Sequence, residues 1–174
     1  MSTEPMSISE APARELEHID QYLTFALGGE QYGTDVMQVQ EIKVWDGVTR
    51  VPYSPNYILG VINLRGAIVP IIDLRVRFGL KSALFDSTTV IVVVHVAGER
   101  GERVVGVVVD SVKEVHDIAA ANIQPPPDLL GAVDQVFVKA LANVDGKLVI
   151  LLDMEKLVTS SIMGEAAPRV ALAS

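Results

Sequence analysis

The 174-residue chain has no cysteine, few aromatic residues, a deficit of positive charge and no long apolar run. Without cysteine there can be no disulfide, no thiolate nucleophile and no zinc or iron–sulfur site built on thiolates. Lysine and arginine number 14 against 22 acidic residues, a net charge of -8. That balance argues against a nucleic-acid partner, because phosphate binding needs a concentrated basic face. The mean hydropathy is positive, +0.36, yet the apolar stretches are short. The run from Val90 reaches only Ala97 before Glu99 and Arg100 intervene, well below the roughly 18 residues that span a bilayer. Direct membrane insertion is therefore not expected. Residues 1–17 are rich in Ser, Pro and Glu and lack the basic start and apolar core of a secretory signal. The expectation is a soluble cytoplasmic protein.

What the chain has instead is aliphatic residues. Hydrophobic residues make up 49% while aromatics are only 5%, so valine, isoleucine and leucine must form the core. In runs of four to eight they read as strands, since β-branched side chains suit a pleated surface. Tyr22 to Leu27, the Gly28-Gly29 pair and a second run from Gln31 predict a hairpin. Its second strand is expected to continue through Val36, Val39 and Ile42. Thr49 to Pro52 reads as a short edge segment, and Ser54-Pro55-Asn56-Tyr57 as one helical turn. Gly60 to Ile72 predicts two strands around a tight Leu64-Arg65-Gly66 turn. Asp73 then caps a short helix, Leu74 to Phe78, ended by Gly79. From Thr88 the pattern starts again: a strand from Val90 to Ala97, a turn at 98–102, and a strand from Arg103 to Val109 running on towards Val115. A Pro-rich loop at Gln124 to Pro127 and an apolar turn at Leu129-Leu130 follow. Val136 to Leu141 and Lys147 to Leu152 form a hairpin about Asp145-Gly146, and Asp153 caps a final helix.

The recurrence has a measurable offset. Gly33, Val36, Val39, Glu41 and Ile42 superpose on Gly106, Val109, Val112, Glu114 and Val115, and Pro52 on Pro125. Asn63, Gly66, Val69 and Asp73 superpose on Asn143, Gly146, Val149 and Asp153 at a slightly larger shift. The expected fold is mainly β: two pseudo-repeated lobes of about five strands, roughly 19–84 and 85–152, followed by a C-terminal helix 153–163. Each lobe should curl into a small barrel, since a lone sheet of this size leaves its edges open. Residues 1–18 and 164–174 read as flexible tails.

No catalytic constellation is present. His18, His95 and His116 are scattered, and His95 lies inside an apolar strand, where it reads as a core or rim residue and not a ligand. No metal-ligand spacing, phosphate-binding glycine loop or nucleophile elbow occurs, and no cofactor is expected. Asp73 and Asp153 read as helix N-caps before they read as paired acids. The most informative segment is Asn63-Leu64-Arg65-Gly66, between two apolar strands. One reading makes it a permissive turn with a solvated arginine. The other places a cation among hydrophobic residues at a rim, suited to gripping a partner helix by apolar contact and a charge-assisted hydrogen bond.

The segment Gly60 to Arg75 resembles the signature of the bacterial chemotaxis coupling proteins of the CheW family. So do Tyr32 to Val36, Val39-Gln40-Glu41-Ile42, and Arg103 to Asp110. The resemblance covers about residues 20–160. It implies two intertwined five-stranded SH3-like β-barrel lobes and a non-catalytic adaptor that links chemoreceptor cytoplasmic hairpin tips to the histidine kinase CheA, whose own coupler-like domain pairs with it. Such a protein would assemble in membrane-associated receptor arrays while staying in the cytoplasm. The length leaves no room for a kinase or receiver domain beside the module, so a stand-alone coupler is implied. By motif position, Arg65, with Leu64 beside it, falls on the family's receptor-contact site. Val39 and Glu41 fall on positions implicated in receptor or kinase coupling, and Gly60 on a position where substitution impairs coupling. No kinase-binding residue is implied. The long charged turn at 98–102 and the Pro125–Pro127 run depart from the family pattern. A coupler for another chemosensory pathway, such as type IV pilus motility, is the alternative within the family. A small-molecule-binding β-barrel is the distant alternative, and would need a polar pocket with perturbed titratable groups.

Overall fold

Turn chemistry decides where this chain folds back. In the computed structural model, which describes residues 19–81, 84–98, 101–126 and 135–164, Arg65 and Gly66 have φ of 52° and 90°. Asp145 and Gly146 repeat the same pair at 53° and 79°. Left-handed backbone at both central positions defines a turn whose twist matches the flanking strands. The Asn63 and Asn143 side-chain oxygens accept hydrogen bonds from the Gly66 and Gly146 amides at 2.9 and 3.1 Å. Gly28-Gly29 makes a third such turn, with φ of 61° and 87°.

These turns separate strands β1 (Ile19–Leu27), β2 (Glu30–Asp35), β3 (Val39–Val44), β4 (Ile58–Leu64) and β5 (Ala67–Asp73), after which comes the helix α1 (Leu74–Arg77). The second half holds β6 (Val90–Gly98), β7 (Gly101–Val109), β8 (Ser111–Ala119), the two-residue β9 (Ile123–Gln124), β10 (Val138–Val144), β11 (Lys147–Leu152) and helix α2 (Met154–Val158). One sheet has the order β8-β1-β2-β11-β10-β9, the other β3-β6-β7-β5-β4. The first will be called sheet 1 and the second sheet 2. Apart from β9, the internal repeat maps each order onto the other. Each sheet also contains strands from both repeats, joined by a parallel pairing: β2 with β11 in sheet 1, β5 with β7 in sheet 2. Register shifts fall at repeat-related places too, between Ile58 and Gly60 in β4 and between Val138 and Ala140 in β10. Bulges of this kind bend and twist a strand, which curls a sheet towards a barrel.

Two strands expected to be continuous are broken, for the same reason. After Asp35 the chain makes a 3-10 turn, Val36–Gln38, with the Asp35 carboxylate accepting from the Met37 amide at 2.9 Å. It then enters sheet 2 as β3. After Val109 the chain likewise leaves sheet 2 at Asp110 and enters sheet 1 as β8. In each case apolar residues recur on both sides of the crossing, but the sheet that receives them changes. The helical turn expected at Ser54–Tyr57 is a simple turn closed by the Ile58 amide on the Pro55 carbonyl, 3.0 Å, and the Ser54 hydroxyl donates back to the Val51 carbonyl. The final helix is regular only to Val158 and then widens into a π-type turn, Thr159–Gly164. Both short helices have the expected caps, the Asp73 carboxylate accepting from the Arg75 amide and that of Asp153 from the Lys156 amide. The Leu129-Leu130 turn lies outside the described residues, as do the expected tails except Gly164.

The second crossing is pinned by a buried cation. Arg75 is only 1% exposed. Its guanidinium meets the Asp73 carboxylate at 3.4 Å and that of Asp110 at 3.2 Å, and lies over the Phe85 ring at 4.8 Å. The other Asp110 oxygen accepts from the Gly28 amide, and the Asp110 carbonyl from the Thr88 hydroxyl. One aspartate thus ties both sheets together at the point where the chain changes sheet.

Among the described residues, hydrophobic burial falls into three clusters. Sheet 1 alone supplies Tyr22, Ile118, Ala140, Ala142, Val149 and Leu151; strands of sheet 2 alone supply Leu64, Val69, Ile71, Ile91, Val93 and Val108. The largest cluster draws on both sheets and both helices, including Phe25, Leu27, Val92, Val94, Val107, Phe137 and Leu157. In β6, Ile91 and Val93 face the interior of sheet 2 while Val92, Val94 and Val96 face the central cluster. A strand buried on both faces needs no polar alternation, which accounts for the valine runs.

Two predictions follow from this packing. A Cβ at Gly106 would lie 2.6 Å from Ile71 Cδ1 and 2.7 Å from Ile91 Cγ2. Gly106→Ala should cost about 1–3 kcal/mol in urea unfolding, and Ile71→Val in the same chain should recover part of it. Asp110→Ala removes a charged hydrogen-bond partner of buried Arg75 and should cost about 1.5–3 kcal/mol by the same assay.

Candidate functional site

In sheet 2, β3 and β4 are the two ends of the strand order. The sheet curls until these ends face each other, and two contacts span the seam between them. At one end Arg65 Nη2, in the β4–β5 turn, donates to Glu41 Oε1 on β3. At the other, Thr49 exchanges backbone hydrogen bonds with Val61, at 2.9 and 2.8 Å. Between them runs a groove of about 430 Å³, lined by residues that include Lys43, Val44, Val48, Thr49, Val61 and Ile91.

Each residue expected at the site can now be placed. Arg65 and Glu41, 24 positions apart in sequence, form one ion pair; the arginine side chain is 67% exposed and that of the glutamate 26%. Val39 is half-buried and packs on the central cluster just before a register shift in the β3–β6 pairing. Leu64 points into the sheet 2 cluster, where it supports the turn that carries Arg65. Gly60 lies nearer the start of β4, apart from the ion pair. Its φ is 152°, and a Cβ there would fall 2.3 Å from the Thr49 carbonyl oxygen. Gly60 therefore permits the loop contact that closes the far end of the seam. The central cluster fills the middle of the space between the sheets. The groove next to the ion pair opens along the seam instead.

Sequence reasoning missed the apolar surface around this pair. Ile42 and Val44 on β3 are exposed, as are Met37 before it and Ile68 on β5. The alternation Val39-Gln40-Glu41-Ile42-Lys43-Val44 contained the signal, since a strand with apolar residues on both faces presents one of them to something other than its own core. Behind the seam, Trp45 packs edge-to-face on Phe85 at 4.4 Å, and Phe85 in turn lies under Arg75. The Trp45 amide donates to the Thr89 carbonyl at 3.1 Å. The hydroxyl and amide of Thr88 hold the nearby Asp86 carboxyl below the usual carboxylate range. A second groove, about 490 Å³, lies beside the loop Arg50–Asn56. Among the described residues, three groups titrate away from their ordinary values: Asp86, Tyr32, whose phenol is raised by burial, and Lys139. Burial works to lower Lys139, but the Tyr22 hydroxyl and the carboxylates of Asp35 and Asp20 outweigh it and raise the value. None of the three lines either groove.

The family model described as CheW-like domain matches residues 21–161, all of both sheets but the first two residues of β1, and the helix that follows. The chain belongs to the CheW-like family. It is 43% identical over 143 residues to the chemotaxis protein CheW of Klebsiella aerogenes, covering 82% of this chain and 84% of that one. It is 36% identical over 135 residues to a probable chemotaxis protein CheW of Rhizobium etli, covering 78% and 84%. Among solved structures it resembles the scaffolding protein TtCheW of Thermoanaerobacter tengcongensis, with a TM-score of 0.76 and 33% identity over 84% of this chain and 96% of that one. The two curled sheets described above are thus the architecture of a CheW-type scaffold. Among the described residues, no helix is long and apolar enough to cross a membrane.

The tight approach at Gly60 generates a prediction for this CheW-like domain. Gly60→Ala should displace the Val48–Thr49 loop, because the clash is with backbone and no rotamer can relieve it. The Val61 amide, now bonded to Thr49, should lose hydrogen-exchange protection at least about tenfold, the equivalent of 1.4 kcal/mol, while amides of β10 stay protected.

Proposed function

We propose that this protein is a non-catalytic coupler that joins the cytoplasmic hairpin tips of chemoreceptors to the histidine kinase CheA. Membership of the CheW-like family supports the reading, as does the likeness to proteins named for chemotaxis and scaffolding. The observation that carries it is the Arg65–Glu41 pair at an open seam of a sheet that also leaves Ile42, Val44 and Ile68 exposed. A receptor tip is a helical surface. It can be held by apolar contact around a charged centre, with the charges fixing its orientation.

In this reading Arg65 is the receptor-contact cation and Glu41 its counter-charge. Val39 and Leu64 hold the two backbone segments from beneath, and Gly60 sets the path of β4. The kinase's coupler-like domain meets another part of the surface. The protein acts in the cytoplasm beside membrane-bound receptor arrays. Signal passes as a bias in how the kinase is held, on the order of 1–3 kcal/mol between its states. Many weak contacts repeated across an array can add to a steep response without any single tight interface.

Arg65→Glu tests the assignment directly. The pair is exposed, so the substitution should change unfolding free energy by no more than about 1 kcal/mol. Binding to receptor cytoplasmic fragments in a pull-down or titration should fall at least about tenfold, or 1.4 kcal/mol. Receptor binding that persists at wild-type strength removes Arg65 from the contact surface. Failure of the wild-type chain to bind any receptor fragment or to support kinase activation overturns the coupler reading itself.

A further inference from the structure

The sequence holds two Asp-Gly pairs, Asp46-Gly47 and Asp145-Gly146. Aspartate followed by glycine is the dipeptide most open to attack by the backbone on the side chain, because glycine puts no Cβ beside its amide nitrogen. The fold treats the two pairs very differently.

Asp145-Gly146 forms the turn between β10 and β11. The Gly146 amide donates to the Asn143 side-chain oxygen at 3.1 Å, and Val144 pairs with Lys147 across the turn. The nitrogen that would attack the Asp145 carboxyl is already committed, and a ladder fixes the residues on either side.

Asp46-Gly47 has no such restraint. It follows β3 and lies between two anchored residues. The Trp45 amide donates to the Thr89 carbonyl at 3.1 Å, and Thr49 is bonded in both directions to Val61. Among the described residues, neither the Gly47 amide nor the Asp46 carboxyl makes a hydrogen bond. Both residues are exposed and line the groove of about 430 Å³ along the seam, where water reaches them. The repeat-related positions are Ala119 and Ala120, so the second half of the chain has no counterpart.

We propose that Asp46-Gly47 is a site of spontaneous aspartyl isomerisation, and that the modification loosens the loop closing the far end of the seam. The Gly47 nitrogen attacks Cγ of the protonated Asp46 side chain. A C–N bond forms, the C–OH bond breaks, and one water leaves with the hydroxyl and the amide proton, giving a cyclic imide. Water then adds to one of the two ring carbonyls. Opening at the side-chain carbonyl restores aspartate; opening at the main-chain carbonyl routes the backbone through Cγ as isoaspartate. The isoaspartyl form adds one methylene to the backbone between Trp45 and Thr49. Trp45 is also held by the Phe85 ring, whereas Thr49 is exposed and its bridge to Val61 stands outside any strand. The added length therefore falls on the Thr49–Val61 bridge.

Peptide mapping of the full chain after incubation in mildly acidic buffer tests the site. Isoaspartate is read by enzymatic carboxyl methylation and by resistance to an aspartate-directed protease. It should accumulate at Asp46 at least about tenfold faster than at Asp145. In urea the two sites should react at comparable rates, because the fold sets the difference. Asp46→Glu, whose longer side chain closes the ring poorly, should abolish the modification at this position. In the isomerised chain the Val61 amide should exchange at least about tenfold faster than in fresh protein, while amides of β10 keep their protection. Equal rates at the two sites in the folded chain, or the same preference in urea, overturn the assignment. An isomerised chain with unchanged Val61 protection overturns the effect on the seam. None of these outcomes depends on the coupler reading.

Discussion

Two parallel strand pairings hold this fold together. β2 lies beside β11, and β5 beside β7, and in each pair one strand comes from the first repeat and the other from the second. A sheet built from one repeat alone would end at β2 or β5 with unpaired backbone groups facing a hydrophobic interior. Buried backbone groups without partners are costly, so the repeats complete each other's sheets. The close approach this requires is met by Gly33 and Gly106, which are repeat-related and sit at the two parallel junctions.

Because the strands are exchanged, the central cluster cannot be divided between the two halves. Phe25, Leu27, Val92, Val107 and Leu157 come from both sheets and from α2, and Phe137 from the 3-10 turn before β10. Arg77 adds to this joint: its guanidinium lies over the Tyr57 and Phe137 rings, each at 4.7 Å, and donates to the Ser160 and Ser161 hydroxyls. Tyr57 and Phe137 are repeat-related positions, and their carbonyls accept from the amides of the two cap residues, Asp73 and Asp153, both at 2.8 Å. Near-symmetry in the backbone therefore coexists with asymmetric side chains. The second crossing has a buried ion pair, while the first has a solvent-exposed methionine. The candidate site lies on the less constrained side, where β3 and β4 close the barrel through one exposed salt bridge and one backbone contact.

Much of this was legible from residue types. Asn63-Leu64-Arg65-Gly66 and Asn143-Val144-Asp145-Gly146 announce matching turns because only a few residues tolerate left-handed backbone there and Asn caps the following amide. Asp73 and Asp153 announce helix starts for a similar local reason. The repeat offsets emerge from those fixed positions. The two sheet crossings did not show, since Val36, Val39 and Ile42, and Val109, Val112 and Val115, recur at spacings that read as continuations of the preceding strands. A strand's own pattern records that it is buried but not which sheet buries it. Leu64 and Gly60 drew attention through motif position, and packing gives them supporting roles beneath and beside the seam. Ile42, Val44 and Ile68 escaped notice because a hydrophobic residue in a strand reads as core by default.

The sequence by itself determined the local grammar of this protein: turns, caps, strand content, the internal repeat, membership of the CheW-like family, and the lack of any recognisable catalytic motif. Those features depend on neighbours a few residues away, or on spacing that survives without a structure. Tertiary structure decided which strands share a sheet, where the chain crosses between sheets, that Arg75 is buried against Asp110, and that Arg65 meets Glu41 across a seam. Each of these joins residues far apart in the chain. Their geometry follows from closing two sheets around a shared core, and no local pattern encodes that closure.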